Sequence, residues 1–85
     1  MTVEFRTSFV GDLESLDPRY RARIEAIIVE LEAASTLRDV RQLKKLQGRS
    51  GFFRIRVGRY RLGLVGGQVT LVRWLDRKEF YRHFS

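Results

Sequence analysis

Residues 52–65, FFRIRVGRYRLGLV, carry the pattern that decides the fold of this 85-residue chain. Apolar residues alternate with arginine or glycine, which is typical of a β-strand with one face on the core. Gly58-Arg59 interrupts the alternation and is short enough for a two-residue hairpin loop. A second break at Gly66-Gly67, followed by alternation over residues 69–72, predicts a three-stranded antiparallel meander.

The register of this meander predicts a cluster of arginines on one face. A two-residue loop at positions 58 and 59 makes Arg56 the partner of Arg61 and Arg54 the partner of Gly63. Like charges opposite one another destabilise a sheet, so we expect an anion to bind there. A glycine inside a strand also indicates the close approach of a ligand or another backbone. The alternative is an outer face that is merely polar and covered by arginine stems.

The same argument extends to the third strand. If Gly66-Gly67 is also a two-residue loop, Arg61 lies opposite Val72, and Trp74 falls on the arginine face. An aromatic ring would then border the guanidinium groups. We therefore expect Trp74 to contact the anionic partner.

The N-terminal half predicts one strand and two helices. Residues 2–6 alternate polar and apolar positions, as in a half-buried strand. Ser8 is a candidate N-cap for a short helix, and Asp17-Pro18 is a stronger start for a second one. The second helix carries one apolar stripe, which needs a sheet to cover it: Tyr20, Ile24, Ile27, Ile28 and Leu31.

Residues 35–51 have weak periodicity and a glycine-rich end, so they indicate a loop or a short helical turn. The complete pattern predicts an α+β fold within one domain over residues 1–85. Its order is an N-terminal strand, a two-helix hairpin and a three-stranded antiparallel meander, with the helices packed on one face of the sheet.

Charge is distributed unevenly along the chain. Residues 1–35 contain four arginines and seven acidic residues, for a net charge of −3, whereas residues 36–85 contain thirteen basic and three acidic residues, for a net charge of +10. A local positive field of this kind attracts a polyanion such as RNA. A solvated basic surface without a partner is the alternative.

Composition also excludes several classes of function. There are no cysteines and one histidine, so we expect neither disulfides nor a metal site, and no cofactor. No apolar run approaches the roughly 20 residues of a membrane span, and the polar N-terminus does not fit a secretory signal. We therefore expect a cytoplasmic protein without a membrane partner.

Three segments resemble toxins of the RelE branch of the RelE/ParE superfamily: LKKLQG at 43–48, GFFRIRVGRYRL at 51–62 and DRKEFYR at 76–82. The likeness covers nearly the whole chain and is most specific at residues 54–62 and 77–81. It implies the toxin of a type II toxin–antitoxin system, a metal-independent endoribonuclease that cleaves messenger RNA in the ribosomal A site. It also implies a RelB-like antitoxin that binds the toxin in a hetero-oligomer.

The resemblance also implies which residues act on the RNA. The expected catalytic residues are three strand arginines and two residues of the C-terminal motif, in which the tyrosine would stack on RNA or assist proton transfer: Arg54, Arg56, Arg61, Arg77 and Tyr81. The expected RNA contacts surround them: Lys44, Lys45, Arg49, Trp74 and Lys78. One departure is that Asp76 stands where many relatives have histidine. His83 would replace that histidine only if the C-terminal tail folds back.

Two other functions remain open from the sequence. A ParE-like toxin shares this fold but inhibits DNA gyrase, and an arginine-poor sheet face would distinguish it. A non-catalytic module would bind RNA or the antitoxin without cleaving messenger. The arginines at positions 54, 56 and 61 favour the RelE branch.

Overall fold

A computed structural model describes residues 1–84 and has an α+β architecture, as predicted. Five strands form one mixed sheet in the order β1-β5-β4-β3-β2, in which β1 is parallel to β5 and the other pairs are antiparallel. The elements in chain order are β1 (Val3–Phe5), α1 (Thr7–Asp12), α2 (Arg21–Ala33), β2 (Leu43–Lys45), β3 (Phe52–Val57), β4 (Tyr60–Val65), β5 (Val69–Asp76) and α3 (Arg77–Phe84).

The central hairpin has the register expected from its sequence. Strands β3 and β4 pair Arg54 with Gly63 and Arg56 with Arg61. Gly58 occupies the turn with a φ of 58°, a left-handed conformation that glycine adopts without steric cost. The three strand arginines therefore lie on one face of the sheet, as predicted.

The register between β4 and β5 differs from the prediction. The turn uses three residues, Gly66 to Gln68, and an irregularity between Gly63 and Leu64 shifts the pairing further. Leu75, and not Val72, lies opposite Arg61, and Trp74 lies opposite Leu62. Trp74 is thus on the core face, 4% exposed, and the prediction that it borders the arginines is wrong. The one-residue irregularity therefore places the side chains of β5 beyond it, Trp74 included, on the face opposite to the one predicted.

The predicted meander is the centre of a wider sheet. Residues 43–45, expected in a loop or helical turn, form β2 and pair with β3, so that Lys44 lies opposite Arg54. A three-residue strand is too short to show an alternating pattern. The N-terminal strand is confirmed, and it pairs in parallel with β5, from Val3 with Val69 to Phe5 with Leu71.

Helices α1 and α2 cover one face of the sheet. Phe9 of α1 and Ile24 and Leu31 of α2 are buried in the core with the inward residues of β3, β4 and β5. The Asp17 carboxylate accepts a hydrogen bond from the Arg19 amide at 3.0 Å, which caps the turn before α2 as predicted. Ser8 lies inside α1, and its hydroxyl donates to the Val72 carbonyl at 2.7 Å, so its predicted capping role is wrong.

Helix α3 packs on the opposite face, which corrects the expectation that helices cover only one face. Its buried residues Phe80 and Phe84 form a second apolar cluster with Val72 of β5. A β-carbon on Gly63 would lie 2.9 Å from Cε1 of Phe80. Gly63 therefore makes room for a helix of the same chain and not for a ligand. None of the helices over residues 1–84 is long and apolar enough to cross a membrane.

Candidate nucleic-acid interface

The interface begins where α3 meets the β3–β4 turn. The Asp76 carboxylate accepts a hydrogen bond from the Glu79 amide at 3.0 Å and so satisfies one free N–H of the first helical turn. The Arg77 amide donates to the Arg59 carbonyl at 2.8 Å. These two bonds fix the start of α3 beside residues 58–59. Basic side chains from the turn and from the helix consequently line a common depression.

We call this depression the turn cleft; it has a volume of about 550 Å³ and is lined by Arg59, Asp76, Arg77, Lys78 and Tyr81. Three of the five side chains are cationic. Asp76 is the only carboxylate in the set, and it already accepts the Glu79 amide. The cleft is therefore a concave surface with excess positive charge, which suits a phosphate group.

A second depression, the strand cleft, lies on the other side of Tyr81. It has a volume of about 340 Å³, and its cationic residues are Lys44, Lys45 and Arg54. Lys44 and Arg54 are cross-strand partners, so the sheet fixes their spacing. Tyr81 lines both clefts and is 40% exposed. One aromatic ring thus separates two groups of cations.

Arg61 lies below this surface. It is 6% exposed, and its Nη1 donates to the carbonyls of Gly58 and Tyr60 at 2.8 and 2.9 Å. Within residues 1–84 its Nε has no hydrogen-bond partner. Its neighbours on the same sheet face are Arg56 and Leu75. The structure therefore gives Arg61 a contact with the turn that carries Arg59.

The remaining predicted residues lie apart from Tyr81. The Arg49 guanidinium lies 5.5 Å from the ring centre of Phe52 and 5.4 Å from that of Phe84, and Arg49 lines a separate depression with residues 45–50. Arg56 is exposed and lines a different cleft, beside α2. Trp74 stacks on Tyr60 at 5.0 Å in the core, so it offers no face to RNA.

The sequence prediction missed Arg59. A cation at a hairpin tip is usually a solvated residue, and nothing in its spacing links it to the C-terminal motif. Its guanidinium lies 5.9 Å from the ring centre of Tyr60, and Arg59 is one of the residues that line the turn cleft. His83 is exposed and lines a separate depression with Arg73 and Glu79, so it does not face Tyr81.

One ion pair holds β5 behind this interface. The Arg73 guanidinium donates two hydrogen bonds of 2.8 Å to the Asp12 carboxylate, which also accepts the Trp74 amide at 2.8 Å. The hydrogen bonding of the Arg73 guanidinium to the Asp12 carboxylate raises the pKa of Arg73. Across residues 1–84 no group of three or more histidine, aspartate or glutamate side chains could hold a metal ion.

None of the protein-family models compared with the chain matches it. The chain is 38% identical to Toxin RelE3 of Methanocaldococcus jannaschii over 99% of both proteins. It belongs to the RelE toxin family. This RelE chain superposes on a crystal structure of a RelB–RelE antitoxin–toxin complex from Methanococcus jannaschii with a TM-score of 0.82, at 34% identity over 96% of this chain and 99% of the other.

A second solved relative of the RelE chain is the RelBE2 toxin–antitoxin complex from Mycobacterium tuberculosis. It has a TM-score of 0.70 and is 30% identical over 89% of this chain and 96% of the other. The resemblance noted in the sequence is therefore confirmed across almost the full length, and the fold agrees with it.

Proposed function

We propose that this RelE protein is the toxin of a type II toxin–antitoxin system and acts as a ribosome-dependent endoribonuclease on messenger RNA. The main support for this proposal is that Tyr81 lines two clefts, each with its own group of cations. The strand cleft contains Lys44, Lys45 and Arg54, and the turn cleft contains Arg59, Arg77 and Lys78. Cations on both sides of an exposed aromatic ring match the needs of single-stranded RNA.

The two clefts suggest a path for the RNA. Phosphates on either side of one nucleotide would bind the two groups of cations, and the base between them would stack on Tyr81. Guanidinium groups form paired hydrogen bonds with phosphate oxygens and stay charged at physiological pH. Arg54, Arg59 and Arg77 are the arginines best placed for this contact, because each lines a cleft with Tyr81.

The cleavage chemistry needs few protein groups. The 2′-hydroxyl oxygen of the RNA attacks the adjacent phosphorus, the bond from phosphorus to the 5′-oxygen breaks, and the products carry a 2′,3′-cyclic phosphate and a 5′-hydroxyl. One proton leaves the 2′-hydroxyl and one reaches the departing 5′-oxygen. Arg54 and Arg77 would stabilise the charge that develops on the phosphate, and the Tyr81 hydroxyl would relay a proton. Arg61 would act indirectly, by holding the turn that carries Arg59.

The partner would be a RelB-like antitoxin in a hetero-oligomer, as in the two solved complexes to which the chain is similar. Antitoxin binding would prevent access to RNA until the complex dissociates. Activity on translating ribosomes would place the toxin in the cytoplasm.

A cell-free translation reaction tests the proposal. Wild-type protein and the Arg77→Ala and Arg38→Ala variants are added separately, and messenger ends are mapped by primer extension. Arg38 is exposed and lies in neither cleft, so its variant is a control for charge. Codon-phased cuts with wild type and Arg38→Ala that disappear with Arg77→Ala support the proposal. Intact messenger with wild-type protein refutes it, and a DNA gyrase assay would then test the ParE-like alternative.

A further inference from the structure

The proposed RNA cleavage needs a group that accepts the proton of the attacking 2′-hydroxyl. Most side chains that line the strand cleft and the turn cleft are unsuited to this, because lysine, arginine and tyrosine hold their protons at neutral pH. The exception is Asp76, because aspartate side chains are ionised at neutral pH. Among the residues of 1–84 that line these clefts, Asp76 is therefore the one ready proton acceptor.

The fold fixes Asp76 at the turn cleft. It is the last residue of β5, where it lies opposite Tyr60 of β4, and α3 begins at the next residue. Its Oδ1 atom accepts the hydrogen bond from the Glu79 amide, whereas its Oδ2 atom accepts no hydrogen bond from residues 1–84. One carboxylate oxygen thus anchors the side chain, and the other is available to a substrate in the cleft.

Cations surround this carboxylate without pairing with it. Arg59 comes from the β3–β4 turn, and Arg77 and Lys78 come from the first turn of α3. In the described part of the chain, none of the three forms an ion pair with Asp76. The carboxylate therefore keeps its free oxygen, while the cations supply the charge that brings a phosphate close to it.

The other groups near α3 that could accept a proton lie outside the turn cleft. Glu79 and His83 line a separate depression, and the Oε1 atom of Glu79 accepts a hydrogen bond from the Arg82 guanidinium at 3.0 Å. Tyr81 does line the turn cleft, but a tyrosine hydroxyl at neutral pH is suited to donating a proton. The turn cleft thus contains one acceptor, Asp76, and one donor, Tyr81.

We infer that Asp76 is the general base of the proposed cleavage; this inference rests on the proposed nuclease function. Its Oδ2 atom accepts the proton of the 2′-hydroxyl as the 2′-oxygen attacks phosphorus. The Tyr81 hydroxyl gives its proton to the 5′-oxygen as the bond from phosphorus to that oxygen breaks. The products are the 2′,3′-cyclic phosphate and the 5′-hydroxyl. A proton then passes from Asp76 to the Tyr81 oxygen through solvent, which restores both groups.

Asp76 also caps α3, so the test needs a substitution that keeps the cap. Asparagine caps helices about as well as aspartate and has nearly the same shape, but its amide does not take up a proton at neutral pH. Asp76→Asn therefore removes the base and retains an acceptor for the Glu79 amide. Asp17→Asn is the matched control, because Asp17 caps the turn before α2 in the same way and lines neither cleft.

The test is single-turnover messenger cleavage on translating ribosomes, followed by primer extension between about pH 6 and pH 8, where carboxylates stay ionised. Wild type and Asp17→Asn should cleave at rates that are nearly independent of pH. Asp76→Asn should be about 10²-fold slower at about pH 7, and its rate should rise about tenfold per pH unit, because hydroxide then removes the proton. It should bind oligouridylate at least as tightly as wild type, because the cleft loses a negative charge.

Three outcomes would overturn the assignment. Cleavage by Asp76→Asn at the wild-type rate would show that the reaction proceeds without this carboxylate. A slower rate with the flat pH profile of wild type would show that Asp76 acts only as a helix cap. Both results leave the nuclease function standing. Intact messenger with wild-type protein at every pH would overturn the nuclease function and the assignment together, so the two failures are distinguishable.

Discussion

Nη1 of Arg61 donates a hydrogen bond to the carbonyl oxygen of Gly58 over 2.8 Å. The bond joins the interior of β4 to the turn that carries Arg59. The same guanidinium leaves its Nε without a partner in the described part of the chain, and an unpaired buried donor costs about 1–3 kcal/mol. Because the unpaired Nε offsets much of what the two hydrogen bonds contribute, stabilising the turn does not by itself account for Arg61, which indicates a functional reason for its presence.

Replacement of Arg61 by methionine tests this view. The change loses two hydrogen bonds but also removes a buried charge and its unpaired Nε, so the free energy of unfolding should stay within about 1 kcal/mol of wild type. Messenger cleavage should fall at least about tenfold, because the turn carrying Arg59 loses its support. Urea denaturation and primer extension measure the two quantities. A large loss of stability with unchanged cleavage would show that Arg61 is only structural.

Gly63→Ala should destabilise the protein through α3. The new β-carbon would lie 2.9 Å from Phe80 and 3.2 Å from Phe84, so the helix must move. Overpacking of this kind costs about 1–3 kcal/mol, and the displaced helix would carry Tyr81 away from Arg54. The melting temperature and the rate of messenger cleavage should both be lower than those of wild type. Gly11→Ala is the control, because a β-carbon at position 11 would meet no atom within 4 Å. Since Gly11 lies in a helix and alanine favours helices over glycine, this variant should be as stable as wild type or slightly more stable.

Two substitutions at Tyr81 separate stacking from proton transfer. Tyr81→Ala should weaken binding to single-stranded RNA by about 1–3 kcal/mol, because the stacking surface is lost. Tyr81→Phe keeps the ring, so binding should be preserved while the cleavage rate on bound messenger falls by a factor of about 10². Full activity of the phenylalanine variant would assign the residue to stacking alone. At 40% exposure the side chain contributes little to the core, so both variants should fold.

The salt dependence of RNA binding should report the number of phosphate contacts. For single-stranded nucleic acid, the logarithm of the binding constant falls with the logarithm of salt concentration with a slope of about −0.7 per neutralised phosphate. Arg54→Gln should make the slope shallower by about 0.7, whereas Arg38→Gln should leave it unchanged. Fluorescence anisotropy with an oligouridylate over a range of salt concentrations gives both slopes. Identical slopes for wild type and Arg54→Gln would remove Arg54 from the interface.

Asp12→Ala should destabilise the fold. The substitution removes a bidentate ion pair with Arg73 and the acceptor for the Trp74 amide. Loss of one partner of a fully buried ion pair costs about 3–5 kcal/mol; because the Arg73 side chain retains 25% exposure, we expect about 2 kcal/mol here. Glu79→Ala is the matched control, since Glu79 and its partner Arg82 are 54% and 71% exposed, and it should cost much less. Equilibrium unfolding in urea measures both free energies of unfolding. Equal losses for the two variants would contradict the prediction.

The sequence was informative wherever local geometry determines the outcome. Alternation over residues 52–65 together with a two-residue turn determined the β3–β4 register, and with it the pairing of Arg56 with Arg61. Asp17-Pro18 marked the turn before α2 in the same way. These features depend on residues that are close together in the chain, so they can be predicted from the sequence.

Features that depend on distant segments were not predictable. The pairing of β4 with β5 depends on an irregularity after Gly63, which moved Trp74 from the expected interface into the core. Gly63 was expected to leave space for a ligand or another backbone, but it leaves space for Phe80 and Phe84 of α3, which packs on this face of the sheet. The turn cleft was missed because Arg59 and Arg77 meet only through a backbone bond between the hairpin and the helix.

The parallel pairing of β1 with β5 has a consequence for the synthesis of the toxin. Val3 has no strand partner until Val69 has been made, and Asp12 waits in the same way for Arg73. Contacts between segments this far apart in sequence form late in folding, because the intervening chain must be ordered first. A nascent chain therefore cannot complete its sheet before Asp76, the last residue of β5, has been made. Until then the proposed RNA-binding surface around Tyr81 is not assembled on the chain.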